Sequence, residues 1–108
     1  MDYAVILSPT SLANLKEITS GLAADDPLVA GRIGNKLLDR IAILQAFPMA
    51  GSVYVAEKKW RKLISRPYVI VYRVNKKRRL VEILTFRHSA RMPYSSYTSG
   101  KGYKKAAP

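Results

Sequence analysis

Three β-type segments follow one another in the second half of the chain and constrain the fold more than any other feature. Residues 60–64 (WRKLI) alternate between two faces, residues 68–74 (YVIVYRV) carry the strongest β pattern, and residues 80–86 (LVEILTF) carry a third. Only residues 65–67 and 75–79 separate them. Connections this short join neighbouring antiparallel strands, because a parallel pair needs a much longer crossover. The three segments therefore predict an antiparallel meander.

The first half predicts one strand and two helices. Residues 3–7 (YAVIL) form a short β-rich run. Ser8 then suits a helix N-cap with a proline behind it, and Asp26 repeats the arrangement before a second helix. The second helix ends before Pro48, since the residue preceding a proline avoids the α region. The apolar stripes of the two helices are Leu12, Leu15, Ile18 and Leu22, then Ala30, Ile33, Leu37, Ile41 and Leu44.

These elements predict an α+β domain of order β-α-α-β-β-β, with a helical hairpin packed on one face of an antiparallel sheet. Residues 49–59 are expected to form a loop or a weak strand. A chain of 108 residues has room for one core, and we assign it to residues 1–92. Residues 93–108 have no apolar period and are rich in Ser, Gly and Lys, so we expect a basic, mobile C-terminal tail.

The charge is large and unevenly distributed. The chain has 19 Lys and Arg against 7 Asp and Glu, a net charge of +12. Residues 1–50 hold four basic and five acidic residues, whereas residues 51–108 hold fifteen basic and two acidic ones. The second half therefore predicts a basic face and an anionic partner, such as nucleic acid, an acidic protein or a membrane surface.

Composition also excludes several classes of protein. The chain has no cysteine and one histidine, which excludes disulfides, thiolate zinc sites and multi-histidine metal clusters. No glycine-rich phosphate loop follows a strand, so we expect no metal and no cofactor. No apolar run approaches the roughly 18 residues of a membrane span, and the start lacks a basic leader region. We expect a cytoplasmic protein without a membrane partner.

One candidate site follows the last predicted strand, where Arg87, His88 and Arg91 lie close in sequence and Tyr94 comes three residues later. A histidine can serve as a general acid or base near neutral pH, and an arginine can bind phosphate or stabilise an oxyanion. The alternative is that His88 only caps the strand and the arginines are solvated.

A second candidate site combines basic and aromatic residues. Clustered cations beside aromatic rings can hold a nucleic-acid backbone and stack its bases, and they suit an acidic protein equally well. Alternatively, the turn at residues 76–79 is merely solvated, and Tyr68 and Tyr72, which share a strand face with Ile70, belong to the core. The set comprises Lys58, Lys59, Trp60, Arg61, Lys62, Arg66, Tyr68, Tyr72 and residues 76–79.

In order and spacing, these motifs together resemble the RelE/ParE superfamily, the toxins of bacterial type II toxin–antitoxin modules. The resemblance covers residues 3–91 and implies a β-α-α-β-β-β fold that a cognate acidic antitoxin restrains. Its motifs are the Ser8-Pro9 helix start, the leucine-stepped hairpin, Phe47-Pro48 with Gly51, Arg61-x-Leu63, the strand from Tyr68 to Arg73, and Ile83-Leu-x-x-x-His88-x-x-Arg91.

The RelE-like branch cleaves mRNA in the ribosome without metal, using basic and aromatic side chains. That branch has a basic residue directly after the first tyrosine of the strand, where this chain has Val69, and often a lysine near the position of Trp60. If the chain were such a nuclease, the resemblance implies His88 as acid or base, Lys62, Arg73 and Arg91 as charge stabilisers, and Tyr94 as a positioning residue.

The ParE-like branch has an apolar strand and a His-x-x-Arg ending, as this chain does. That similarity implies inhibition of DNA gyrase by protein contact, without catalysis, and is our leading hypothesis. The alternatives are a ribosome-dependent mRNA endonuclease and a non-toxic nucleic-acid-binding module. Residues expected to bind the target or the antitoxin are Lys58, Lys59, Trp60, Arg61, Arg66, Tyr68, Tyr72 and Arg87.

Overall fold

The computed structural model describes residues 2–91, so the predicted tail lies outside the described residues. Two helices pack on a five-stranded sheet, which confirms the α+β class. Within this part of the chain, no helix is long and apolar enough to cross a membrane. The elements are β1 Ala4–Leu7, α1 Pro9–Asp25, α2 Pro27–Ala42, β2 Ser52–Val55, β3 Trp60–Ser65, β4 Tyr68–Asn75 and β5 Leu80–His88, with 3-10 turns at Ile43–Gln45, Ala56–Lys58 and Ser89–Arg91.

Both predicted helix starts are confirmed by capping hydrogen bonds. The Ser8 hydroxyl oxygen accepts from the Ser11 amide at 3.0 Å. The Asp26 carboxylate accepts from the Leu28 amide at 3.1 Å, and the Asp26 amide donates to the Leu22 carbonyl at 2.8 Å. Asp26 thus ends α1 and begins α2, because its side chain satisfies an amide that the helix itself leaves unpaired. This one residue forms the tight corner of the helical hairpin.

The core lies between the hairpin and one face of the sheet. α2 provides the buried Leu37 and Ile41, as its stripe predicts, whereas α1 contributes half-buried side chains and leaves Leu12 45% exposed. The apolar stripe predicts Leu12 in the core, but two successive steps of three residues place it about 120° around the helix from Ile18. The core cluster comprises Leu37, Ile41, Leu44, Leu63, Ile70, Tyr72, Val81, Ile83 and Phe86.

The sheet is mixed, which corrects the prediction of an antiparallel sheet. Its order is β1-β5-β4-β3-β2, and β1 pairs in parallel with β5 while the other pairs are antiparallel. The cause is β2, within the segment expected to be a loop or a weak strand. Each element reverses the chain direction, and the additional reversal at β2 makes β5 run the same way as β1.

One β-bulge interrupts the pairing of β4 with β5. Val71 lies opposite Thr85 and the next residue, Tyr72, lies opposite Ile83, so Leu84 is an extra residue in β5. An extra residue shifts the alternation of side chains, because successive strand residues point to opposite faces. Each residue of β5 after Leu84 therefore points to the face opposite to the one that uninterrupted alternation would give it.

Candidate functional site

The sheet face opposite the helices, here called the open face, carries the predicted residues Lys62 and Arg73. Leu63 and Ile70 form a pair that belongs to the core beneath the helices. By alternation, the pairs on either side, such as Lys62 with Val71, lie on the open face. The strand period thus divides β3 and β4 into a core side and a partly charged outer side.

A groove at the end of the sheet near the β4–β5 turn, here called the basic groove, combines apolar and cationic walls. Its apolar residues include Ile6 and Val53, which are 44% and 57% exposed. Glu82 is the only acid among the described lining residues, and its carboxylate pairs with Arg73 at 2.8 Å. Further lining residues are Met49, Trp60 and Leu80 on the apolar side, and Lys58, Lys59, Arg61, Lys76, Lys77 and Arg78 on the basic side.

The structure brings together three of the predicted binding residues at one wall of this groove. Lys58 Nζ lies 4.6 Å from the centre of the Trp60 ring, a cation–π contact that positions the ammonium group. Lys59 follows at the end of the 3-10 turn with a left-handed φ of 59°, and its side chain is exposed. Nearby on β3, Lys62 Nζ lies 5.7 Å from the centre of the Tyr54 ring.

Two residues expected to contact a partner instead hold the loop between α2 and β2. The fully buried Tyr72 hydroxyl accepts from the Gly51 amide and donates to the Pro48 carbonyl, both at 2.9 Å. The Arg61 guanidinium donates to the carbonyls of Gly51 at 2.6 Å and Met49 at 3.2 Å. Tyr72 has no exposed surface to offer a partner, so its predicted binding role is corrected to a structural one.

A second cleft, here called the histidine cleft, lies on the helix side of the sheet, between α1 and the ends of β4 and β5. It is lined by Glu17 and Ile18 of α1 and by Tyr68, Arg87 and His88. The His88 and Tyr68 rings meet edge to face with centres 5.6 Å apart. His88 Nδ1 also accepts from the Ala90 amide at 3.2 Å, and the nearby Arg66 is exposed.

Of the residues proposed for a nuclease site, the structure describes Lys62, Arg73 and His88, and these three are not brought together. Lys62 and Arg73 lie on the open face, whereas His88 lies in the histidine cleft on the other side of the sheet. Tyr68, the partner of His88, is five residues from Arg73 along β4, which corresponds to about 17 Å. The Arg91 side chain and Tyr94 lie outside the described residues.

The β-bulge at Leu84 causes this separation. Glu82 and His88 are six residues apart in β5, and uninterrupted alternation would place them on the same face. The extra residue instead leaves Glu82 beside Arg73 and turns His88 to the helix side with Phe86. Among the described residues, no group of three or more acidic, histidine or cysteine side chains could hold a metal ion.

Two solved toxin–antitoxin systems have a similar fold. The chromosomal ParDE system from P. aeruginosa includes a chain with a TM-score of 0.68 and 18% identity, covering 80% of this chain and 95% of that one. The RelBE2 toxin–antitoxin complex from Mycobacterium tuberculosis includes one with a TM-score of 0.61 and 18% identity, covering 82% and 99%. At this identity the similarity shows the fold alone.

A search of the curated proteins found no match to this chain. The model of one protein family, described as the ParE toxin of type II toxin-antitoxin system, parDE, matches residues 5–93. That match includes every helix and nearly all of every strand described above. The chain therefore belongs to the ParE toxin family of type II toxin–antitoxin systems.

Proposed function

We propose that this protein is a cytoplasmic, growth-inhibiting toxin that acts on DNA gyrase by protein contact and does not cleave RNA. The observation that carries the proposal is the separation of Lys62 and Arg73 from His88 on opposite sides of the sheet. General acid–base catalysis needs its groups within hydrogen-bond reach of the same reacting atoms. The sheet lies between His88 and both cations, and Arg73 is a further ~17 Å along β4 from Tyr68, the strand partner of His88, so this separation supports binding without catalysis.

Two further observations support this function. Val69 is only 4% exposed and packs between its strand partners Ile64 and Arg87, so this position presents no cation to a substrate. The choice of gyrase follows from the resemblance to the ParE-like branch, whose family model matches the chain. A gyrase inhibitor needs a binding surface, and the exposed basic and apolar residues of the basic groove supply one.

Induced expression in a bacterial host tests the proposal in combination with two assays of the purified protein. We expect growth arrest, inhibition of supercoiling by purified gyrase, and intact ribosome-bound mRNA at a dose that halts growth. The matched variants are His88→Ala and Lys59→Glu. His88→Ala should retain gyrase inhibition, whereas Lys59→Glu should weaken it if the basic groove contacts the target.

The opposite results would support the nuclease. Cleavage of ribosome-bound mRNA by the wild-type protein, lost in a folded His88→Ala variant, would contradict the proposed mechanism. Growth arrest with fully active gyrase and intact mRNA would show that the target is neither of the two. Harmless overexpression without an antitoxin would favour the non-toxic nucleic-acid-binding module.

We further propose that a cognate acidic antitoxin occupies the basic groove. The solved neighbours are toxin–antitoxin systems, and an acidic segment with one apolar face would match exposed Ile6 and Val53 between cationic walls. Lys58→Glu/Lys59→Glu should weaken antitoxin binding about tenfold or more, since repulsion replaces attraction at two groove positions.

The control for that experiment is Lys16→Glu/Arg32→Glu, which changes the net charge equally at exposed helix positions outside the groove. We expect this control to stay within about threefold of the wild type, because charges distant from the interface are screened by salt. Equal losses in the two double variants would show that total charge, and not the groove, determines antitoxin affinity.

A further inference from the structure

The β4–β5 turn concentrates four consecutive basic residues on a fixed support. Lys76, Lys77, Arg78 and Arg79 are all exposed. Asn75 Oδ1 accepts from the Arg78 amide at 3.0 Å, and Asn75 itself pairs with the first residue of β5. The turn therefore continues directly from two paired strands, and its cations project from the end of the sheet.

The fold accounts for one of these four charges, since the Arg79 guanidinium lies 4.9 Å from the centre of the Tyr3 ring. The structure gives no acidic partner within residues 2–91 to the side chains of Lys76, Lys77 and Arg78, while nearby Glu82 is paired with Arg73. Arg79 has a φ of 52°, a conformation in which glycine or asparagine is more usual. Four adjacent like charges repel each other, and an ordered turn keeps them close, so a polyvalent anion would relieve the repulsion.

We propose that this turn binds the phosphate backbone of duplex DNA. Residues 76–79 contain no apolar side chain, so a protein in the basic groove would make its apolar contacts at Ile6 and Val53 and not at the turn. Phosphate contacts need only positive charge and are dense along a duplex. The biological role rests on the proposed function, because a toxin bound to gyrase lies beside the duplex that gyrase holds.

Fluorescence anisotropy of the purified full chain with a labelled duplex tests this inference without gyrase. The variant is Lys76→Gln/Lys77→Gln, and the control is Lys16→Gln/Arg32→Gln, which removes the same charge from exposed helix positions. Between about 50 and 200 mM salt, the slope of log affinity against log salt should fall by about 2 in the turn variant, since each phosphate contact contributes about 0.9. Its affinity near 100 mM salt should drop about tenfold or more, and the control should stay within about threefold.

Three results would overturn the inference. The first is that the wild-type protein does not bind the duplex at about 50 mM salt, where phosphate contacts are strongest. Equal losses in the turn variant and the control would show that net charge alone is responsible. A turn variant that loses binding to a polyglutamate peptide but retains duplex binding would indicate an acidic protein instead.

A supercoiling assay keeps this inference separate from the proposed function. Gyrase inhibition by a wild-type protein that does not bind duplex DNA would refute the DNA contact and leave the proposed function standing. Duplex binding that depends on the turn, without gyrase inhibition, would support the DNA contact and refute the proposed function.

Discussion

Tyr72→Phe removes a single buried oxygen that holds the loop between α2 and β2. In the native chain this hydroxyl accepts from the Gly51 amide and donates to the Pro48 carbonyl, each at 2.9 Å. Phenylalanine fills the same space in the core without either hydrogen bond. Any loss of stability therefore reports the two hydrogen bonds and not a cavity.

The size of the loss follows from the burial of the two partners. Gly51 is buried, so its amide loses its partner where water has little access, at a cost of about 1–3 kcal/mol. Pro48 is half-buried, so its carbonyl can turn to water and loses only about 0.5–1.5 kcal/mol. The free energy of unfolding should fall by about 3 kcal/mol. With a urea m-value of about 2 kcal/mol/M, the midpoint should fall by about 1.5 M.

Equilibrium urea unfolding of the purified protein, followed by far-UV circular dichroism, measures this change. Tyr68→Phe is the matched control, since Tyr68 lies on the same strand and the structure shows no hydrogen bond from its hydroxyl within residues 2–91. That control should change stability by less than about 0.5 kcal/mol. If Tyr72→Phe is equally mild, the hydroxyl does not hold the loop and the reasoning is wrong.

Three further predictions concern local contacts. Gly51→Ala should lower the free energy of unfolding in urea by about 1–3 kcal/mol, because the new Cβ would approach Tyr72 Oη to 2.8 Å and the Lys62 carbonyl still more closely. An unchanged urea midpoint would show that the loop moves freely. Asp26→Ala should cost about 1 kcal/mol by loss of the α2 cap, and Asp26→Asn should restore most of it. A double-mutant cycle of Arg73→Ala and Glu82→Ala should give a coupling below about 1 kcal/mol, since the side chains are 54% and 29% exposed; a larger coupling would contradict the exposed geometry.

The features of the fold that the sequence predicts are those determined by local interactions. Ser8 and Asp26 begin helices because a side-chain oxygen satisfies nearby amides, and that chemistry needs no distant partner. Strand β4, at the centre of the sheet, is equally evident from its run of β-branched and aromatic residues. β2 is different, since it is four residues long and lies at the edge, and its identity depends on pairing with β3. Because the sequence does not distinguish β2 from a loop, it predicts an antiparallel sheet, whereas β5 runs parallel to β1.

In the candidate site too, the sequence predicts local features and misses those that depend on distant contacts. The basic character of the second half is visible in composition, and the structure gathers Lys58, Lys59 and the β4–β5 turn along one groove. The role of Tyr72 was not predictable from strand alternation, which assigns a face and not a hydrogen-bond partner. The partner of the Tyr72 hydroxyl is the Gly51 amide, and the sequence does not show that Gly51 is buried and that its amide and carbonyl need partners.

One extra residue in β5 determines on which side of the sheet His88 lies. The apolar residues that face the core there are Val81, Ile83 and Phe86, at steps of two and then three, and the step of three marks the bulge. Leu84 is also apolar, so the sequence equally allows an uninterrupted alternation. Without the bulge, His88 would share the open face with Arg73, and three of the proposed catalytic residues would lie on one surface. The bulge therefore places His88 in the histidine cleft and leaves Lys62 and Arg73 on the open face, and this separation is the feature that supports the proposed contact mechanism.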